Sequence, residues 1–134
     1  MKRPNKTIRQ TIILAAQPAE VYDTLLKAGK HAAFTGAKAT CSARIGGRFT
    51  AYDGYIFGKI LELEEGRRIL QEWQTTEWPP DAPPSIVEFI IEKKGDGAKL
   101  TMVHTNVPAE QADDYRQGWI DYYWNPLKQY FQKR

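Results

Sequence analysis

The segment RQGWIDYYWNPLKQYF, residues 116–131, decides the reading of this chain. Together with Tyr115 just before it, it carries seven of the sixteen aromatic residues. At the helical advance of about 100° per residue, Tyr115, Trp119, Tyr122, Tyr123, Leu127 and Tyr130 fall on one side, and Ile120, Trp124 and Phe131 widen it. Asp121, Asn125, Lys128 and Gln132 take the other side. An apolar arc covering about half the circumference belongs to a helix that touches its neighbour along a broad front. Pro126 deletes one backbone hydrogen bond and crowds the preceding turn, which predicts a kink over residues 122–126.

That helix needs a partner with an apolar face, and the preceding sequence supplies a sheet. Residues 6–15 are β-branched and largely uncharged, and read as a first strand. Gln17-Pro18 then opens a short helix over 19–26 with acids in its first turn, and a second helical turn occupies 30–34 before Gly36. Segments 39–43, 48–52, 55–63, 67–76, 85–94 and 99–107 are each bounded by turn residues, notably Ile45-Gly46-Gly47, Asp53-Gly54 and Gly95-Asp96-Gly97. The Asp-Gly pairs imply antiparallel hairpins. A period of two puts Phe49 and Ala51, Ile69 and Trp73, and Val87, Phe89 and Ile91 on one face, opposite Arg48, Glu72, Glu88 and Glu92. The prolines of segment 78–84 suit a stiff loop at a sheet edge. The expected fold class is α+β: a curved antiparallel sheet of about seven strands wrapped around the long C-terminal helix, with two short helices between strands 1 and 2.

Composition bounds the rest. A chain of 134 residues suits one domain spanning 1–134, and 42% hydrophobic with 26% charged residues is a soluble globular profile. The longest uncharged apolar run, 11–17, is far short of the roughly 20 residues that cross a bilayer, and no signal-peptide core follows the first residues; a cytoplasmic location is expected. A lone cysteine, Cys41, excludes an internal disulfide, and with two histidines and no cysteine cluster neither a metal site nor a cofactor is expected. The net charge of +3 comes partly from Lys2, Arg3, Lys6, Lys128, Lys133 and Arg134 at the two ends, so a nucleic-acid footprint is missing.

Several short pieces, in order, resemble a known family: Gln17-Pro18-Ala19-Glu20-Val21-Tyr22, Phe34-Thr35-Gly36, Ile45-Gly46-Gly47-Arg48-Phe49, and the run 52–58, YDGYIFG. Gln71-Glu72-Trp73, Trp78-Pro79, Asn106-Val107-Pro108, Gln117-Gly118-Trp119 and Tyr122-Tyr123 continue the likeness over nearly the whole chain. The chain resembles the START-like (SRPBCC, helix-grip) superfamily, and within it the family of the C-terminal domain of the activator of the 90-kilodalton heat-shock chaperone's ATPase. The eukaryotic co-chaperone resembles it only in its second half.

The resemblance implies a cavity between sheet and C-terminal helix. By side-chain parity, Trp73, Phe89, Trp119 and Tyr123 are candidates for its wall, with Phe34 near the mouth. Met102 and His104 alternate on the last strand and join the candidate set, because an imidazole beside a pocket can orient a ligand or move a proton. Buried tyrosine and tryptophan tips need hydrogen-bond partners, which suggests that at least one tyrosine hydroxyl faces an open pocket. Each of these side chains can equally be plain core, and His104 a satisfied structural histidine. Three functions stay open: a non-catalytic domain binding a small hydrophobic or amphipathic molecule, a module that contacts a chaperone partner, and an enzyme of the polyketide cyclase or dehydratase kind.

Overall fold

A computed structural model describes residues 5–132, so the basic residues Lys2, Arg3, Lys133 and Arg134 lie outside the described part. Strand β1, Asn5–Leu14, is followed by helices α1, Pro18–Leu26, and α2, Ala28–Thr35. Glu20 caps the start of α1 by accepting the Gln17 backbone N–H at 3.0 Å. Strands β2, Thr40–Cys41, β3, Arg48–Ala51, β4, Ile56–Glu64, β5, Arg68–Thr75, β6, Ser85–Lys94, and β7, Gly97–Pro108, come next. All pair antiparallel in a single sheet of order β1-β7-β6-β5-β4-β3-β2. Since β1 and β2 stand at opposite edges, α1 and α2 carry the chain across the sheet.

The period-two reading places the faces correctly. Along β5, Ile69, Gln71, Trp73 and Thr75 are buried, while Arg68, Leu70, Glu72 and Gln74 are only partly so. Val87, Phe89 and Ile91 face the core from β6. The hairpin expected at Gly95 is a two-residue turn, with Lys94 opposite Gly97 and Gly95 at φ 56°. At Gly58 the sheet backbone closes in: a Cβ there would stand 1.9 Å from the Glu72 carbonyl oxygen and 2.8 Å from the Phe49 ring, so no larger residue fits unless strands move.

Three expectations need correction. The strand expected over 39–43 shrinks to Thr40–Cys41, the short edge of the sheet. Segment 78–84 is more than an edge loop: Trp78 is buried, donates its indole N–H to the Pro83 carbonyl at 2.9 Å and stacks on Tyr115 at 5.8 Å. The third concerns the C-terminal helix, which runs as α3, Ala112–Trp119, then a π-helical turn, Ile120–Trp124, then α4, Asn125–Gln132. In the π turn Asn125 donates its N–H to the Ile120 carbonyl five residues back.

The wider turn shifts the phase of everything after it. Trp119 and Trp124, five apart, stack at 5.3 Å with their planes 16° apart, an alignment that a regular helix would spoil by turning them about 140° from one another. Trp124 moves into the core and Tyr122 moves out, to 59% exposure, against the wheel reading that placed Tyr122 on the buried side. Pro126 explains why an irregularity sits here. It has no N–H to offer the carbonyl of Tyr122, four residues back, and the Tyr52 hydroxyl donates to that carbonyl instead.

Candidate functional site

Between α3, the π turn and the β4–β5 end of the sheet lies a hollow of about 450 Å³. Its floor and walls include Trp73 from β5, Trp119 from α3 and Tyr123 from the π turn. Tyr52, Tyr55 and Tyr115 complete the aromatic wall, and Tyr122, Glu77 and Asp114 lie at an open rim where Tyr122 and Tyr55 reach solvent. Gly118 belongs to the lining as well, and a Cβ placed on it would meet nothing within 4 Å. A glycine inside a helix costs about 1 kcal/mol relative to alanine, and here it leaves the hollow its depth.

The tyrosine tips do not wait for a ligand. Tyr52 donates to the Tyr122 carbonyl, and Tyr55 to Glu77 Oε1. The Tyr115 hydroxyl pairs with Thr75 Oγ1 at 2.7 Å and donates to Gln111 Oε1 at 3.2 Å. Tyr123 Oη lies 2.9 Å from His31 Nε2, while His31 Nδ1 lies 3.0 Å from the Leu25 carbonyl. A carbonyl can only accept, so Nδ1 carries the proton and the neutral imidazole accepts the Tyr123 O–H. Burial lowers the His31 pKa and holds it in that neutral form. Burial likewise raises the Tyr52 phenol to about 12, and it raises Tyr55, with help from its Glu77 hydrogen bond, and Tyr123. The phenols of Tyr52, Tyr55, Tyr115 and Tyr123 therefore stand in the wall neutral and tied at their tips.

Beneath Trp119 runs a second network. The Trp119 indole N–H donates to His104 Nδ1 at 3.1 Å. That leaves the proton on Nε2, which donates to Ser85 Oγ at 2.8 Å, and Ser85 donates onward to the Trp73 carbonyl. His104 is fully buried, and burial pushes its pKa down to about 3. With both ring nitrogens committed inside the protein, His104 holds Trp119 and Trp73 in place from below.

Of the seven residues singled out in the sequence, Trp73, Trp119 and Tyr123 come together at the hollow. The other four do not line it. His104 and Met102 lie in the sheet with no exposed surface, and the α3 tryptophan contacts His104. Phe34 packs on His31 and Tyr123 from α2, on the far side of the Tyr123 ring. Phe89 meets the edge of Trp119 and borders a separate void of about 20 Å³, roughly one water molecule, which Tyr123 also lines. Parity identifies the inward face of a strand but not which part of that face the helix covers. Tyr52, Tyr55, Glu77, Asp114 and Gly118 were missed as site residues, since the first three sit at turns next to strand ends, where parity does not apply. The signal available was the pair of tyrosines flanking Asp53-Gly54.

Residues 15–132 match the family described as "Activator of Hsp90 ATPase homolog 1-like protein". The chain belongs to this family. Human "Activator of 90 kDa heat shock protein ATPase homolog 1" is 32% identical over 125 residues, covering 93% of this chain and 36% of the human protein. The Dictyostelium discoideum activator homolog is 29% identical over 123 residues, 31% of its own length. The chain thus spans about a third of the length of the curated relatives it matches. Among solved structures, the HSP90 activator PFC0360w of Plasmodium falciparum superposes with a TM-score of 0.82 at 20% identity, over 89% of this chain and 91% of that one. That likeness, with the sheet and helix order above, fixes the START-like helix-grip fold. No helix among the described residues is long and apolar enough to cross a membrane.

Proposed function

We propose that this domain is a non-catalytic binding domain that takes a small hydrophobic or amphipathic molecule into the hollow between the β4–β5 end of the sheet and α3. The observation that carries this reading is the hollow itself: about 450 Å³, walled by tryptophan and tyrosine, with a few polar groups at the rim. Binding sites for small molecules have this size and this balance of apolar wall and sparse polar contacts. Trp73, Trp119 and Tyr123 form its inner wall, and the committed hydrogen bonds of His104 fit a supporting role better than an acid or base of a cyclase-like reaction.

The test compares the wild type with Gly118→Trp. A Cβ at Gly118 would meet nothing within 4 Å, and urea unfolding of the variant checks that it is folded before binding is compared. Native mass spectrometry of freshly purified protein should find an added mass that leaves on denaturation, and the variant should lack it. A wild type that stays bare after incubation with a mixed lipid and aromatic-metabolite library removes this reading.

A second reading rests on the relatives' names: a chaperone-associated contact made through the outer surface, in a cytoplasmic setting that suits the single free thiol of Cys41. It is distinguishable because Gly118→Trp fills an interior space. Binding to the 90-kilodalton chaperone that survives Gly118→Trp, measured by calorimetry, supports the surface contact. Absence of any binding removes it.

A further inference from the structure

The hollow has a sign. The chain carries a net charge of +3, with 19 lysines and arginines against 16 acids, yet no lysine or arginine lines the hollow. Its formally charged lining residues are Glu77 and Asp114, and among the described residues neither forms a salt bridge. Glu77 accepts the Tyr55 O–H through Oε1, and Gln111 Nε2 donates to the Glu77 backbone carbonyl at 2.8 Å, so the residue is held at the rim with Oε2 left over. Around these acids stand Tyr52, Tyr55, Trp73, Tyr115 and Tyr122, rings whose π faces attract cations. An anionic ligand would meet two carboxylates and no counter-charge there, while a neutral one would leave the acids unused.

Resting on the small-molecule reading above, we propose that the hollow selects an organic cation: an apolar, ring-bearing body seated against Trp73 and Trp119, carrying an amine or quaternary ammonium group directed to the rim at Glu77 and Asp114. The aromatic body fills the volume. The ammonium group is stabilised by the tyrosine faces and by the two carboxylates, an arrangement that rejects a carboxylate-bearing analogue by repulsion.

The test uses three ligands of nearly equal shape: 1-naphthylmethylamine, 1-naphthalenemethanol and 1-naphthoate. Each is titrated at pH 7 and low salt into the ¹⁵N-labelled full chain, following the indole N–H signals of Trp73 and Trp119. The amine should bind about tenfold tighter than the alcohol, with the carboxylate weakest. In Glu77→Gln/Asp114→Asn, whose amides keep the rim geometry and whose sites are exposed, the amine should fall to the affinity of the alcohol. Gly118→Trp should abolish binding of both. Equal affinities for all three ligands, a carboxylate that binds tightest, or an amine indifferent to the acid-to-amide change would overturn the cation assignment while leaving a binding hollow in place. Failure of all three to move the indole signals, or binding unaffected by Gly118→Trp, would overturn the hollow as a site and this inference with it.

Discussion

Lowering the pH from 7 to 5 should destabilise this domain through His104. A free histidine titrates near 6.5, whereas the buried His104 imidazole is held at about 3. Between these values the unfolded chain takes up a proton that the folded chain refuses, so stability is full above about pH 6.5 and falls as pH drops toward 3. The slope is about 1.4 kcal/mol per pH unit once the unfolded imidazole is charged, which makes the loss from pH 7 to pH 5 about 2 kcal/mol. His31, also lowered by burial, acts in the same direction. The assay is urea unfolding followed by circular dichroism at both pH values. The comparison protein is His104→Leu/Trp119→Phe, which removes the acceptor together with its donor so that no indole N–H is left unpaired. Whatever the carboxylates contribute is common to both proteins and cancels in the difference. The variant should lose about 2 kcal/mol less than the wild type over this interval. Equal losses would mean that His104 protonates freely in the folded state, and the network joining Trp119, His104, Ser85 and the Trp73 carbonyl would be refuted.

Other perturbations test neighbouring parts of the argument. Tyr52→Phe should cost about 1 kcal/mol by orphaning the Tyr122 carbonyl, and less in a Pro126→Ala background, where the new backbone N–H can serve that carbonyl. Strict additivity of the two in a double-mutant cycle would disprove the link between the proline and the phenol. Gly58→Ala should cost about 3 kcal/mol or more, because its Cβ collides with the Glu72 carbonyl; a near-neutral urea midpoint would show that β4 and β5 can part there. Trp119→Ala should cost about 3 to 5 kcal/mol as a buried aromatic, with His104 Nδ1 left unpaired besides; a loss under about 2 kcal/mol would mean that its ring mostly faces open space.

The sheet was legible because β3, β5 and β6 carry their burial in a period of two, and the glycine turns mark where the period restarts. The covering helix was legible from its seven aromatics, but its second half was not. A wheel assumes a constant advance, and the π turn breaks that assumption at Ile120–Trp124, turning Tyr122 out to solvent while Trp124, read at the margin of the apolar arc, goes to its buried centre. Pro126 gave the place of the irregularity without its form. The hydrogen bonds that decide what His104 and His31 do join residues 15, 19 and 92 positions apart, distances over which a linear pattern holds no information. The hollow was the least legible feature, since Gly118 contributes to it by having no side chain.

The opening in the fold is therefore a consequence of how its walls are tied. Small empty spaces in a protein tend to be reduced when nearby side chains swing inward, and large aromatics are well suited to fill them. Here the four wall phenols cannot swing without breaking a bond at the tip: Tyr52 to the Tyr122 carbonyl, Tyr55 to Glu77, Tyr115 to Thr75 and Tyr123 to His31. Each release would cost about 1 kcal/mol, and more where a buried group is left unpaired. The tryptophans are restrained as well, Trp119 by His104 below it and by Trp124 stacked beside it. Walls fixed in this way keep the hollow open, and under the binding role proposed above a ligand would not have to order them, so the affinity gained from contact would not be spent on reorganisation. The concentration of tyrosine and tryptophan in the terminal helix then has a physical reason beyond bulk: leucine or phenylalanine could fill the same face, but neither could be anchored at its far end.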